Sequence, residues 1–172
     1  LSVPIIKDII RAYRIPILEV AGYEADDVIG TLATKAGKQG IKTYMMTPDK
    51  DYGQLVTENV FMYRPKYGDK EFEVMGVEEV KAKFDIESPS QVIDMLGLMG
   101  DTADNIPGCP GVGEKTAQKL ISQFGSIENL LENTDQLKGA IKTKVESNIE
   151  KIKFSKFLAT IKIDVPVELN LD

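Results

Sequence analysis

The sequence contains no histidine, no tryptophan and a single cysteine, Cys109, and these absences narrow its chemistry before any motif is read. Without histidine there is no imidazole general base and no His-ligated zinc site. One cysteine excludes an internal disulfide and fits a reducing compartment such as the cytoplasm. No apolar run approaches the ~20 residues that cross a bilayer. The opening Leu1-Ser2-Val3-Pro4 lacks the basic head and apolar stretch of a signal peptide. It also lacks an initiator Met, as expected of a piece of something longer. Any chemistry must therefore run on carboxylates, lysines or hydroxyls.

What is present is ample for a core. The 172 residues are 42% hydrophobic and 28% charged, enough for one substantial domain or two small ones. The net charge of −6 is unpromising for a nucleic-acid binder until it is divided: residues 1–110 carry −6, residues 111–156 carry +2 and the remainder −2. An acidic first part and a mildly basic second part can separate metal binding from phosphate binding.

Hydrophobic periodicity divides the chain in the same way. In the first part, Ile5 to Tyr13 reads as a short amphipathic helix stopped by Pro16, and Ile17-Leu18-Glu19-Val20 as a strand ended by Gly22. Ala25, Val28, Ile29, Leu32, Ala33 and Ala36 form one helical face. Ile41 to Thr47 reads as a strand, and Asp51 with Gln54 as a helix start. Val60 to Arg64 and Phe72 to Met75 flank a hairpin loop at Pro65-Lys66-Tyr67-Gly68-Asp69. From Ser88 the pattern is helical, opened by Ser88-Pro89-Ser90-Gln91 and continued by helices at Glu114 to Phe124, Ile127 to Glu132 and Lys138 to Ile161. The expected fold is α/β in residues 1–87, a partial, mostly parallel sheet with flanking helices, followed by an all-helical subdomain in residues 88–172.

Three acidic clusters carry the candidate chemistry. Glu24-Ala25-Asp26-Asp27 opens the amphipathic helix; Glu24 and Asp27 share a side, whereas Asp26 joins them only if the first turn is irregular. Asp49 and Asp51 follow a strand, where ligands collect in open α/β sheets. Asp101 and Asp104 lie between a helix and a glycine-rich turn. Taken singly, each has a plain alternative: first-turn acids complement a helix dipole, Asp51 caps a helix, Asp49 makes an Asx-turn, and the third cluster is a polar loop. Together they suit Mg²⁺, which takes a few carboxylates and keeps several waters. Phosphodiester hydrolysis gains from two such ions ~4 Å apart.

Gly108-Cys109-Pro110-Gly111-Val112-Gly113, followed by Glu114-Lys115-Thr116-Ala117-Gln118-Lys119, reads as a helix–hairpin–helix clamp. Glycines admit a phosphate close to the backbone, helix N–H groups point at it, and Lys115 and Lys119 flank the strand. Such a clamp touches phosphates and no base edges, so it binds without sequence preference. The plain alternative is an ordinary helical turn with a solvated lysine face. The lysines from Lys138 to Lys156 read as such a face, and Tyr13, Tyr23, Tyr44 and Phe61 as core residues.

At these residues the chain resembles the flap endonuclease/5′-exonuclease family. The resemblance is carried by Gly22-Tyr23-Glu24-Ala25-Asp26-Asp27, Thr47-Pro48-Asp49-Lys50-Asp51-Tyr52-Gly53-Gln54-Leu55, Gly100 through Gly108, and Gly111-Val112-Gly113-Glu114-Lys115-Thr116-Ala117. Leu158 through Pro166 is similar to the segment by which this domain continues toward the rest of bacterial DNA polymerases I. The resemblance implies a PIN/flap-endonuclease-like fold lacking its first strand, and hydrolysis at 5′ ends, flaps, nicks and primers in replication and repair. It implies two Mg²⁺ ions, replaceable by Mn²⁺, on Glu24, Asp26, Asp27, Asp49, Asp51, Asp101 and Asp104 as catalytic acids. It implies duplex DNA held by Gly108, Gly111, Val112, Gly113, Lys115, Thr116 and Lys119, with K⁺ on the hairpin carbonyls as a further ion. The implied partners are that DNA, an N-terminal part of the nuclease domain, and a polymerase domain of the same parent chain; no membrane is implied.

Two other classes compete: a non-catalytic DNA-binding module using the hairpin alone, and a PIN-type ribonuclease, which usually lacks the hairpin domain. The seven acids disfavour the first and the hairpin disfavours the second. The family also has two catalytic aspartates and a basic arch before the Glu-Ala-Asp-Asp motif, which this sequence does not supply. Self-association through an open sheet edge is therefore expected. These 172 residues alone are expected to cleave poorly; clean Mg²⁺-dependent flap cleavage by the purified chain would refute that.

Overall fold

The structure is a computed structural model that describes residues 2–65 and 71–170, so the expected loop at Lys66 to Asp69 lies outside the described residues. The chain opens with helix α1, Val3–Ala12, none of whose residues is buried. Helix α2, Ala25–Lys38, follows, with Asp26 and Asp27 in its first turn and Lys35 and Lys38 in its last, both complementing its dipole. Strand β1 (Thr43–Met46) pairs in parallel with β2 (Val60–Pro65), which pairs antiparallel with β3 (Phe72–Met75). The sheet is thus small and mixed, in the order β1-β2-β3. A 3-10 helix, Lys50–Leu55, connects β1 to β2.

The second half is helical: α3 (Val77–Phe84), α4 (Val92–Met99), α5 (Glu114–Phe124), α6 (Ile127–Glu132), α7 (Gly139–Glu146) and α8 (Ile149–Ala159). The Ser88 N–H donates to Gln91 Oε1 at 3.1 Å, as the capping pattern predicts. One apolar core runs through both halves, from Ala33, Met45 and Met62 beneath the sheet to Leu96, Leu130 and Ile152 among the helices. Its centre is α4, whose Val92, Met95, Leu96 and Leu98 are fully buried. Gly97 lets α8 approach so closely that a Cβ there would stand 2.7 Å from Ile127 Cδ1 and 3.1 Å from Lys156 Cα.

Several expectations need correction. Ile17 to Val20 has no regular secondary structure and joins no strand among the described residues; a β conformation persists only with ladder partners, and none is described beside it. The single helix expected over Lys138 to Ile161 is two, α7 and α8. Asn148 at the break turns its Nδ2 onto the Lys144 carbonyl at 2.8 Å, a local alternative to the helix ladder. Tyr13, Tyr23 and Tyr44 are exposed and Phe61 is half-buried; Tyr44 and Phe61 stack across the outer sheet face with centroids 5.4 Å apart. The lysines of α7 and α8 are not all solvated. Lys156 Nζ reaches Asp94 Oδ1 at 2.6 Å and Glu128 Oε2 at 2.7 Å, pinning α8 to α4 and α6.

The α4–α8 contact makes a sign prediction. In an open helix, Gly→Ala gains about 1 kcal/mol. At Gly97 the added methyl meets backbone and a packed isoleucine, so Gly97→Ala should lower stability by about 1–3 kcal/mol in urea unfolding. A gain in stability would contradict this packing.

Candidate functional site

The acidic residues meet because three local structures aim them. Glu24 is the N-cap of α2, with extended backbone (φ −80°, ψ 161°), so its direction is not set by helical spacing. That is the irregularity needed for Glu24, Asp26 and Asp27 to line one cleft of about 260 Å³, which they do together with Asp51 and Asp104. The facing wall is Leu158 to Ile161, at and beyond the end of α8. Asp26 Oδ1 is fixed by the Tyr52 hydroxyl at 2.7 Å.

In the second cluster, Asp49, and not Asp51, caps the 3-10 helix, accepting the Asp51 N–H at 2.9 Å. Gln54 is released for the C-terminal segment, donating to the Ala159 carbonyl and accepting from the Ile161 N–H, both at 2.9 Å. In the third cluster a tight loop closes through paired bonds between Asp101 and Ile106. It is backed by two glycines in contact: Gly100 and Gly108 both have positive φ, and a Cβ on Gly108 would lie 2.4 Å from Gly100 N. Asp101 Oδ1 accepts the Ala103 N–H at 2.8 Å, and its other oxygen takes the Lys50 ammonium.

The result is a tight group. Asp51, Asp101 and Asp104 each place a carboxylate oxygen within 4.8 Å of the others. Asp51 is buried, and no donor among the described residues reaches its Oδ1. Burial first, and then the Asp49 charge, push the Asp51 carboxyl up to about 7. Burial and the Asp101 charge also raise Asp104. Asp101 moves the other way, held low by its bond from Lys50, which is raised in turn. A buried oxygen without a donor, beside two further carboxylates, fits a hard divalent cation such as Mg²⁺, which takes oxygen ligands only.

The hairpin lies beside this group. Gly113 and Glu114, at the start of α5, share a depression of about 350 Å³ with Lys50 and Asp101. Gly111 and Gly113 are exposed, as are Lys115 and Lys119, while Thr116 is half-buried. Two further positions of the expected DNA-binding set are packed into the fold. Val112 is buried, and Gly108 is packed on Gly100 with its N–H bonded to Ser155 Oγ at 2.9 Å. Lys144 Nζ donates to the Gly111 carbonyl at 3.0 Å, placing a cation on the hairpin that the sequence reading assigned to a solvated face.

Sequence reasoning missed the roles of Lys50, Tyr52, Gln54 and the wall at Leu158 to Ile161. Tyr52 and Gln54 lie within the Asp49–Asp51 motif, but their partners are 26 and 105 residues away in sequence, and no periodicity connects them.

The chain is similar to known proteins along its whole length. Residues 1–85 match the N-terminal resolvase-like domain of the 5′-3′ exonuclease family, and residues 87–172 its C-terminal SAM fold. The chain is 45% identical over 170 residues to DNA polymerase I of Bacillus caldotenax, covering 98% of this chain and 19% of that protein. It is 40% identical over 169 residues to the 5′-3′ exonuclease of Aquifex aeolicus, covering 98% of this chain and 56% of that one. Its fold matches the bacteriophage T5 flap endonuclease in a pseudo-enzyme-product complex with DNA and metal ions. That match has TM-score 0.77 and 20% identity, over 89% of this chain and 56% of the phage chain. The chain thus spans about a fifth of the length of the DNA polymerase I relatives.

The raised Asp51 carboxyl makes a pH prediction for the metal-free chain. The folded state keeps that proton up to about 7, whereas a free aspartate loses it near its ordinary value of 3.8, so ionising Asp51 opposes folding progressively as pH rises through that window. Asp51→Asn, which cannot ionise, should stabilise the chain relative to wild type at pH 8, with the difference gone by pH 4. Urea midpoints in chelator at the two pH values measure this; a pH-independent difference would contradict it.

Proposed function

The chain belongs to the 5′-3′ exonuclease family, and from that premise we propose that, as part of a longer parent enzyme, it supplies carboxylates that hold divalent cations for hydrolysis of phosphodiesters near DNA 5′ ends, nicks and flaps. The observation that carries this reading is the meeting of the three acidic segments around a buried Asp51 oxygen that has no donor among the described residues. Glu24, Asp26, Asp49, Asp51, Asp101 and Asp104 are the residues we assign to Mg²⁺, with Mn²⁺ as a substitute. When bound, a pair of such ions supplies water activation and stabilisation of the leaving oxygen.

The remaining work falls to other side chains. Tyr52 orients Asp26, and Lys50 orients Asp101 while offsetting part of the negative charge. The exposed turn at Gly111 and Gly113, with the first N–H groups of α5 and with Lys115 and Lys119, grips a duplex phosphate chain beside the acids. A grip on phosphates alone is independent of base sequence. A K⁺ ion on the hairpin carbonyls would have to compete at Gly111 with the Lys144 ammonium. The DNA and metal ions of the phage neighbour are in keeping with this reading. The whole parent enzyme's role in replication and repair, with its polymerase domain as a partner, is part of the same proposal.

Two measurements test it. Calorimetric titration with Mn²⁺ should show binding that Asp49→Asn and Asp51→Asn each weaken at least about tenfold; unchanged affinity would refute a shared site. Lys115→Ala and Lys119→Ala should weaken binding of nicked duplexes of any sequence equally, each lowering the salt slope by about 1. An effect confined to one sequence, or an unchanged slope, would refute the phosphate clamp.

A further inference from the structure

Asp27 differs from the other acids of the site in that backbone N–H groups reach both its oxygens; Asp101 also has both engaged, but one of them by the Lys50 ammonium. Asp27 Oδ1 accepts the Lys162 N–H at 2.9 Å and its Oδ2 the Glu24 N–H at 3.4 Å. Asp27 is also the first rung of a ladder. Thr31 and Lys35 follow at intervals of four residues, so all three stand on one face of α2. Each of them bonds the backbone of the segment that follows α8. Thr31 Oγ1 donates to the Lys162 carbonyl at 3.4 Å and accepts from the Val165 N–H at 3.2 Å. Lys35 Nζ donates to the Val167 carbonyl at 2.6 Å.

The same segment is held from its other side. Gln54 brackets it through Ala159 and Ile161 and also donates to the Asp51 carbonyl at 3.0 Å, joining the segment to the metal-site loop. Ile161 sits where a Cβ on Gly30 would be, 2.8 Å from it, and Val165 and Val167 pack on Val28. The near end of this strap, Leu158 to Ile161, is one wall of the acidic cleft.

We infer that Asp27 is a positioning residue and not a metal ligand: it latches the strap onto α2, fixing both the cleft wall and the helix turn that carries Glu24 and Asp26. This assignment rests on the metal-site reading above. Backbone N–H donors occupy both Asp27 oxygens, and a residue that holds neighbouring ligands in place still controls metal affinity.

The test compares isosteric and truncating variants of the 172-residue chain by Mn²⁺ calorimetry and by hydrogen exchange at the Lys162 amide. Asn keeps the oxygen that accepts the Lys162 N–H and gives up only the long 3.4 Å contact from the Glu24 N–H, but it loses the charge that a ligand needs. Asp27→Asn should therefore bind Mn²⁺ close to wild type with Lys162 still protected, whereas Asp26→Asn loses at least about tenfold. Asp27→Ala should expose Lys162 and weaken Mn²⁺ binding by about tenfold. Thr31→Val, which touches no acid and is the fallback if Asp27→Ala does not fold, should move both readouts in the same direction. If Asp27→Asn falls with Asp26→Asn, Asp27 is a ligand and the assignment is overturned. It is equally overturned if the Ala and Val variants leave Mn²⁺ affinity unchanged, since the latch would then be stabilising only. Wild type that binds no Mn²⁺ would overturn the metal reading itself, an outcome distinguishable from both.

Discussion

Everything in this structure is arranged around a repulsion. Carboxylates from segments far apart in sequence are held in one small cleft, with Asp51 buried at its floor and Asp101 and Asp104 within 4.8 Å. Burial first, and like charges at such separations second, disfavour the ionised forms and push the Asp51 and Asp104 carboxyls up. Among the described residues, Lys50 stands against the repulsion at short range, bonded to Asp101. A fold with no use for the cluster would have dispersed it, which is why the crowding points to cation binding more strongly than any single aspartate does.

Holding such a cluster together requires a rigid frame, and the frame is built from backbone. Asp49 is tied to the start of its own 3-10 helix, Asp101 to its own loop, and Glu24 and Asp27 to the first turn of α2. These turns sit on one core that extends from the sheet to α8, so the acidic half and the hairpin half share their packing. The consequence is the adjacency that matters for function: the first residues of α5 and Asp101 border a common depression. A phosphate chain gripped by the hairpin would be delivered to the acids without any hinge. The strap from Ala159 to Val167 closes the same frame, returning from the helical half to α2.

Much of this was legible in the residues. Helical periodicity located α2, Ile41 to Thr47 and the two runs flanking the Pro65 loop located β1 to β3, and the glycine- and proline-rich hairpin announced itself by composition. The acids were legible as types in motifs. What stayed hidden depends on distant partners. Ile17 to Val20 has strand composition yet pairs with nothing described, because propensity does not supply a neighbour. The lysines of α7 and α8 looked uniformly solvated, but Lys144 and Lys156 are drawn to a carbonyl and two carboxylates on other elements. Asp51 read as a cap by its spacing from Gln54, whereas the cap is Asp49 and Gln54 reaches across to α8. One signal was available and unread: Asp27, Thr31 and Lys35 form a polar stripe of period four that solvent exposure alone does not require.

The central claim is that one cation site draws its oxygens from all three acidic segments. Anomalous diffraction from crystals of this chain soaked in Mn²⁺ tests it most directly. The account predicts density in the cleft within coordination distance of Asp51 Oδ1 and of oxygens from both neighbouring segments. Manganese found only at scattered surface carboxylates, with Asp51 Oδ1 still bare, would contradict it.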